Sequence, residues 1–203
     1  MPGDAIISSA VEGDLDEAVA KRLIIHSGGK PGIVYGRSGK SHLKKRAPAY
    51  NAAAQFAPWL VLVDLDQDED CAPPLRQTWL PHPAQLLCFR IAVLEIEAWL
   101  MADASSLSNY MRVPLGQVPK TPETLPDPKL ALVNLARRSR KSAIRSDMVP
   151  RDGSGRTVGP LYVSRMIEYV QGHWQIDVAQ RNAESLRRAV AGVQRLLQSV
   201  KSK

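Results

Sequence analysis

The chain reads as an α/β protein: a mostly parallel sheet flanked by helices, followed by a helical C-terminal extension. Short β-branched or apolar runs alternate with segments of helical period through residues 1–103, the strand-like runs end in glycine or acid, and residues 104–203 carry helical patterns without strand-like runs. Strands separated by helices need crossover connections, and crossovers make parallel neighbours. We expect residues 1–103 to form the core and 104–203 a helical extension packed on it, as a single globular unit.

Each element follows from its residues. Residues 4–12, DAIISSAVE, are short and β-branched and run into Gly13, the profile of a buried strand stopped by a turn. Asp14 is placed to cap a helix, with Glu17 three residues on and Leu15, Val19 and Leu23 along one face. Ile33-Val34-Tyr35 sits among glycine, serine and base, as a strand ending in a loop does, and a short helix is expected over 49–57. Trp59 to Val63 is the clearest strand. Helical residues follow around Pro74 to Leu80, then a strand over 86–94 feeds a helix over 95–103. Pro114, Pro119, Pro122, Pro126 and Pro128 break residues 104–128 into loop and short turns, and Asp127-Pro128 is a helix start, a cap followed by a first-turn proline. Gly159-Pro160 opens another helix ending near Gly172, and residues 183–200 are amphipathic through Leu186, Val190, Val193, Leu197 and Val200.

Composition bounds the function. With 203 residues, 44% hydrophobic and 23% charged, the chain has material for one buried core and the profile of a folded protein. Neither a secretory leader nor a membrane-spanning run is visible, so a cytoplasmic protein away from the membrane is expected. Cys71 and Cys88 lack CxxC spacing and paired histidines, so neither a disulfide framework nor a zinc site is signalled. A net charge of +7 suits a polyanionic partner such as nucleic acid, although solvated surface bases alone produce such values.

Against this basic background, acids collect where strands should end. Glu12 closes the first strand, Asp64 and Asp66 close the Trp59 strand, and Glu95 and Glu97 follow the Arg90 strand. Functional groups gather at the carboxyl ends of parallel strands. Residues i and i+2 of extended chain point the same way, so Asp64 and Asp66 project together and Glu12 can face them. Two carboxylates about 4 Å apart repel by roughly 4 kcal/mol at an effective dielectric near 20. Such a group either holds a shared proton or binds a hard dication such as Mg²⁺ or Mn²⁺. Acids after a strand also serve as helix caps or solvated loop charges, the reading given to Asp68, Glu69 and Asp70.

Glu-Gly after a first strand and Asp-x-Asp after a later one resemble the metal-binding pattern of the TOPRIM (topoisomerase-primase) family. VEGDLDE, GKSHLKKRAPAYN, WLVLVDLDQDEDCAPPLR, FRIAVLEIEAWLMAD, LPDPKLALVNLARRSR and GPLYVSRMIEYV together resemble an uncharacterised, divergent bacterial TOPRIM-like family associated with mobile elements or phage defence. The resemblance implies a Rossmann-like TOPRIM core and a Mg²⁺-dependent nuclease or phosphodiester-processing enzyme. It implies that Glu12 handles the proton on the attacking or leaving oxygen and that Asp64 and Asp66 are metal ligands. Glu97, or Glu95, would be an extra acid for a second ion; EIEAW has no firm counterpart in the general pattern. Several TOPRIM nucleases work beside an ATPase, so the alternative is a noncatalytic nucleic-acid-binding or regulatory subunit with such a partner.

Two basic groups flank the acids in sequence: Lys40, Lys44, Lys45 and Arg46, and Arg137, Arg138, Arg140, Lys141 and Arg145, with Arg151 and Arg156 beyond. A nuclease must bring a polyanion to an acidic pocket, so these are candidate phosphate contacts. A solvated helix face is the plain alternative for 136–141. GRSGKSH lacks the Gly-x4-Gly-Lys spacing of a phosphate loop, and RDGSGR at 151–156 reads as a glycine-rich connecting turn. Scattered histidines and the absence of a Gly-x-Ser-x-Gly elbow leave serine-hydrolase chemistry unsupported.

Overall fold

The computed structural model describes residues 5–66 and 71–201. The chain is α/β, with a four-stranded, all-parallel sheet flanked by helices and a long C-terminal helix. It divides into two compact units, residues 1–93 with 185–203, and residues 94–184. The expected boundary after residue 103 thus falls inside the second unit, and the last helix belongs with the sheet.

In the first unit the elements run β1 (Ile6–Val11), α1 (Asp14–His26), β2 (Lys30–Gly36), α2 (Lys40–Ala53), β3 (Trp59–Asp64), α3 (Ala72–Trp79) and β4 (Leu87–Ala92). The strand order is β2-β1-β3-β4. β3 is buried at every position but its last and β1 at four of six, as strands covered on both faces are. Ala10, Val61, Val63, Phe89 and Ile91 share one face with Leu43, Ala47 and Tyr50 of α2 and Leu75 and Trp79 of α3. Tyr35, Tyr50 and Trp59 stack at the margin of that layer, with ring centroids 5.1–6.2 Å apart. Helix α1 covers the opposite face, where Ile7 and Ile24 meet Leu197 around Gly29.

Two local readings differ from expectation. Helix α2 begins at Lys40, so the basic run expected in a loop is helical; Leu43, Ala47 and Tyr50 bury one face, which outweighs the backbone donor missing at Pro48. The residue preceding α1 is Gly13, with no side-chain cap, and Asp14 is the first helical residue, where its charge complements the helix dipole. Cys71 is exposed, whereas Cys88 is buried.

The second unit holds α4 (Ile96–Met101), α5 (Ala104–Met111), two 3-10 turns at Leu115–Gln117 and Pro122–Thr124, α6 (Pro128–Arg137), α7 (Ser142–Met148), α8 (Tyr162–Gly172) and α9 (Ile176–Asn182). The predicted cap at Asp127 is present, its side chain accepting from Leu130 N at 2.7 Å. Helix α5 replaces part of the expected loop: buried Asp103 caps it by accepting from Ser106 N, and the prolines all fall beyond its end. Trp99 is fully buried. α10 (Glu184–Lys201) closes the described chain, and all but its first residue belong to the sheet unit. No helix among the described residues is long and apolar enough to cross a membrane.

Candidate functional site

In an open parallel sheet, the crevice for ligands lies where successive crossovers leave in opposite directions. Here the chain passes from β1 outward to β2, then returns across β1 to β3, so that point lies between β1 and β3. Glu12 is the first residue after β1 and Asp64 the last of β3. They meet there: Asp64 N donates to Glu12 Oε1 at 2.9 Å.

The loop after β2 is tied to the same edge. Arg37 N donates to Val11 O at 2.9 Å and Gly39 N to Glu12 O at 3.0 Å. Gly36 has φ of 89° and a Cβ there would run into Val11 O, so only glycine allows the chain to pass so close. Lys40 then opens α2, and its Nζ donates to Leu65 O at 3.1 Å and to Asp66 Oδ2 at 2.8 Å. Helix α2 has no acid in its first turn. A cation at this end opposes the helix dipole, and the bonds from Lys40 offset that conflict.

Arg37, Asp66 and Leu94 have φ of 62°, 51° and 62°, each within two residues of the end of β2, β3 or β4. Left-handed backbone at non-glycine residues costs energy and concentrates at functional sites.

The expected acids therefore separate into groups. Glu12 accepts from the Asp64 backbone N–H, while Asp66 is paired with Lys40, which was expected to contact nucleic acid. Glu95 and Glu97 belong to the second unit. Glu95 accepts from Lys129 N at 2.9 Å and Lys129 Nζ at 2.5 Å. Glu97 is buried; its Oε1 accepts from Tyr162 OH at 3.1 Å and lies 3.6 Å from Lys129 Nζ, while its Oε2 has no hydrogen-bond partner among the described residues. Burial pushes the Glu97 carboxyl above its ordinary value, Lys129 opposing and Glu95 adding to the rise. Burial also raises the Tyr162 phenol, helped by Glu97. Among the described residues, no group of three or more His, Cys, Asp or Glu side chains is arranged to hold a metal ion. Asp68, Glu69 and Asp70 lie outside the described residues.

Of the expected basic contacts, Lys44 lies 5.9 Å over the Trp79 ring, and Lys45 and Arg46 are exposed on α2. Arg137, the last residue of α6, and Arg138 and Arg140 beyond it are exposed. Lys141 lies 5.7 Å over the Tyr110 ring, and Arg145 donates to Ser139 O. Sequence reasoning missed the Lys40–Asp66 pair and the roles of Lys129 and Tyr162. The Lys40 pair had a signal, a lysine at a helix start with no acid in the first turn; Lys129 and Tyr162 had none.

Comparison of the chain with protein-family models, curated proteins and solved structures finds no match.

Proposed function

We propose that the chain is a divalent-metal-dependent enzyme that processes phosphodiester bonds in nucleic acid, a TOPRIM-like nuclease in the sense of its sequence resemblance. One observation carries the proposal: Glu12, whose carboxylate accepts from the Asp64 backbone N–H, and Asp64 stand at the ends of adjacent strands at the switch point of a parallel sheet. Mg²⁺ takes one or two carboxylates and keeps several waters, so acids at two adjacent strand ends suffice for the ion without a third. Glu12 and Asp64 would hold it, and a bound cation would neutralise charge on a phosphate and stabilise developing negative charge. Asp66 is balanced by Lys40, whose ammonium can contact a neighbouring phosphate when substrate competes for it. Glu12, lodged against the start of the crevice, is the candidate to carry a proton to or from the reacting oxygen.

Calorimetry with Mg²⁺ and Mn²⁺ tests the reading. Binding to the wild-type chain that is lost in Asp64→Asn supports it, and supercoiled plasmid should then be nicked by wild type but not by Glu12→Gln. Absence of ion binding by the wild-type chain would overturn it.

A second reading has its own support in the Lys40–Asp66 pair and the lack of a three-acid group among the described residues. On that reading the chain is a noncatalytic nucleic-acid-binding or regulatory subunit working with a partner ATPase. It predicts salt-sensitive nucleic-acid binding that survives Asp64→Asn.

A further inference from the structure

The loop between α7 and α8 is pinned at its neck. Gly159 N donates to Met148 O and Leu161 N to Asp147 O, both at 2.9 Å. A Cβ on Gly159 would run into the backbone of 147–149, so glycine permits this approach. Asp147 is gripped in turn by Arg165 of α8, with Nε and Nη2 each 2.8 Å from its Oδ2. Residues 149–158 therefore make an excursion with close ends, the geometry of an Ω-loop.

The interior of that loop is shaped by two left-handed glycines, Gly153 and Gly155. Ser154 N donates to Arg151 O at 3.1 Å, and Arg156 N donates to Ser154 Oγ at 3.3 Å. The result is a cavity of about 400 Å³ lined by Pro150, Arg151, Ser154, Arg156, Val158 and Pro160. It lies wholly within residues 94–184. Two arginines border one space, and no carboxylate among the described residues lines it; Asp152 stands between them in sequence but is not part of the wall. Among the described residues neither arginine is in an ion pair, and both are exposed. Guanidinium forks match phosphate oxygens, and such bonds are stronger than neutral ones. The two prolines and Val158 supply apolar wall for a sugar or base. The volume falls within the range of about 300–1,000 Å³ usual for small-molecule sites.

We propose that this cavity binds a nucleotide through its phosphate, as a unit of a nucleic-acid strand. Arg151 and Arg156 bracket the phosphate, Ser154 presents its hydroxyl, and Pro150, Val158 and Pro160 pack against the rest. The chain's charge of +7 favours such a polyanion. The site needs neither a divalent ion nor the Glu12–Asp64 pair.

The test is fluorescence anisotropy with a labelled, mixed-sequence, single-stranded oligonucleotide, without divalent ions, over a series of salt concentrations. The double variant Arg151→Ala/Arg156→Ala should bind about tenfold more weakly and lower the salt slope by about 1. Arg151→Lys/Arg156→Lys should recover the slope but only part of the affinity, because charge returns without the fork. A parallel titration with AMP separates the sources: binding of AMP that the double variant loses, with oligonucleotide affinity unchanged, assigns the cavity to a free nucleotide. Unchanged binding of both ligands in the double variant, or binding of neither by the wild-type chain, overturns the proposal. If the double variant fails to fold, the single substitutions and shifts of the Gly153 and Gly155 amide resonances on adding AMP decide in the same way. Absence of Mg²⁺ and Mn²⁺ binding by a wild-type chain that still binds the oligonucleotide would remove the metal reading alone.

Discussion

Glu97 shows how one residue can work against the stability of its surroundings. Its carboxyl is buried, one oxygen has no hydrogen-bond partner among the described residues, and desolvation outweighs the Lys129 ammonium 3.6 Å away. The folded chain therefore holds a proton over a range of pH in which the unfolded chain has released it. Its contribution favours the fold at low pH and is lost as pH rises from the ordinary 4.5 through the raised folded value. Urea unfolding across that range should show this fall, and Glu97→Gln should flatten it. Lys129→Met should deepen it, because the opposing cation is gone while Glu95 and Tyr162 remain. At the other site, Lys40→Met should raise Mn²⁺ affinity several-fold in calorimetry by removing the ammonium that competes for Asp66. No change would detach Lys40 from the ion site.

At the scale of elements, Gly36 decides where the loop to α2 goes. Gly36→Ala combines positive φ with a collision against Val11 O, and should cost at least about 2 kcal/mol in urea unfolding. It should also shift the Arg37 and Gly39 amides bonded to Val11 and Glu12. Asp127→Ala removes the cap of α6 and should cost about 1 kcal/mol. That cap was legible in the sequence because it depends on three neighbouring residues, and β3 because its apolar run is uninterrupted. The start of α2 and the existence of α5 and α7 were not: the base-rich stretch around Lys40 and the proline-rich stretch after Asp103 have loop composition. What makes the first helical is burial of Leu43, Ala47 and Tyr50 beneath the sheet, a long-range effect.

For the whole molecule, the sheet unit is discontinuous, needing residues 185–203 as well as 1–93. Leu186, Val190, Val193, Leu196 and Leu197 of α10 are buried, and Leu197 meets Ile7 and Ile24 at Gly29. Buried aliphatic side chains contribute about 1.5–3 kcal/mol each, so together they rival the total stability of about 5–15 kcal/mol of an ordinary domain. Truncation after Glu184 should abolish cooperative unfolding of the sheet, measured by circular dichroism and by loss of amide protection in β1 and β3. Retention of that protection would show α10 to be an accessory.

Taken alone, the sequence determined the α/β class, the order of the strands along the chain and the acids at their ends, because hydrophobic period and turn chemistry are local. The tertiary structure decided what each acid meets. Strand order brought Glu12 to Asp64, the loop after β2 delivered Lys40 to Asp66, and the packing of α6 and α8 gave Glu95 and Glu97 to Lys129 and Tyr162. These are contacts between residues far apart in the chain, set by how strands pair and helices pack, and no local pattern encodes them.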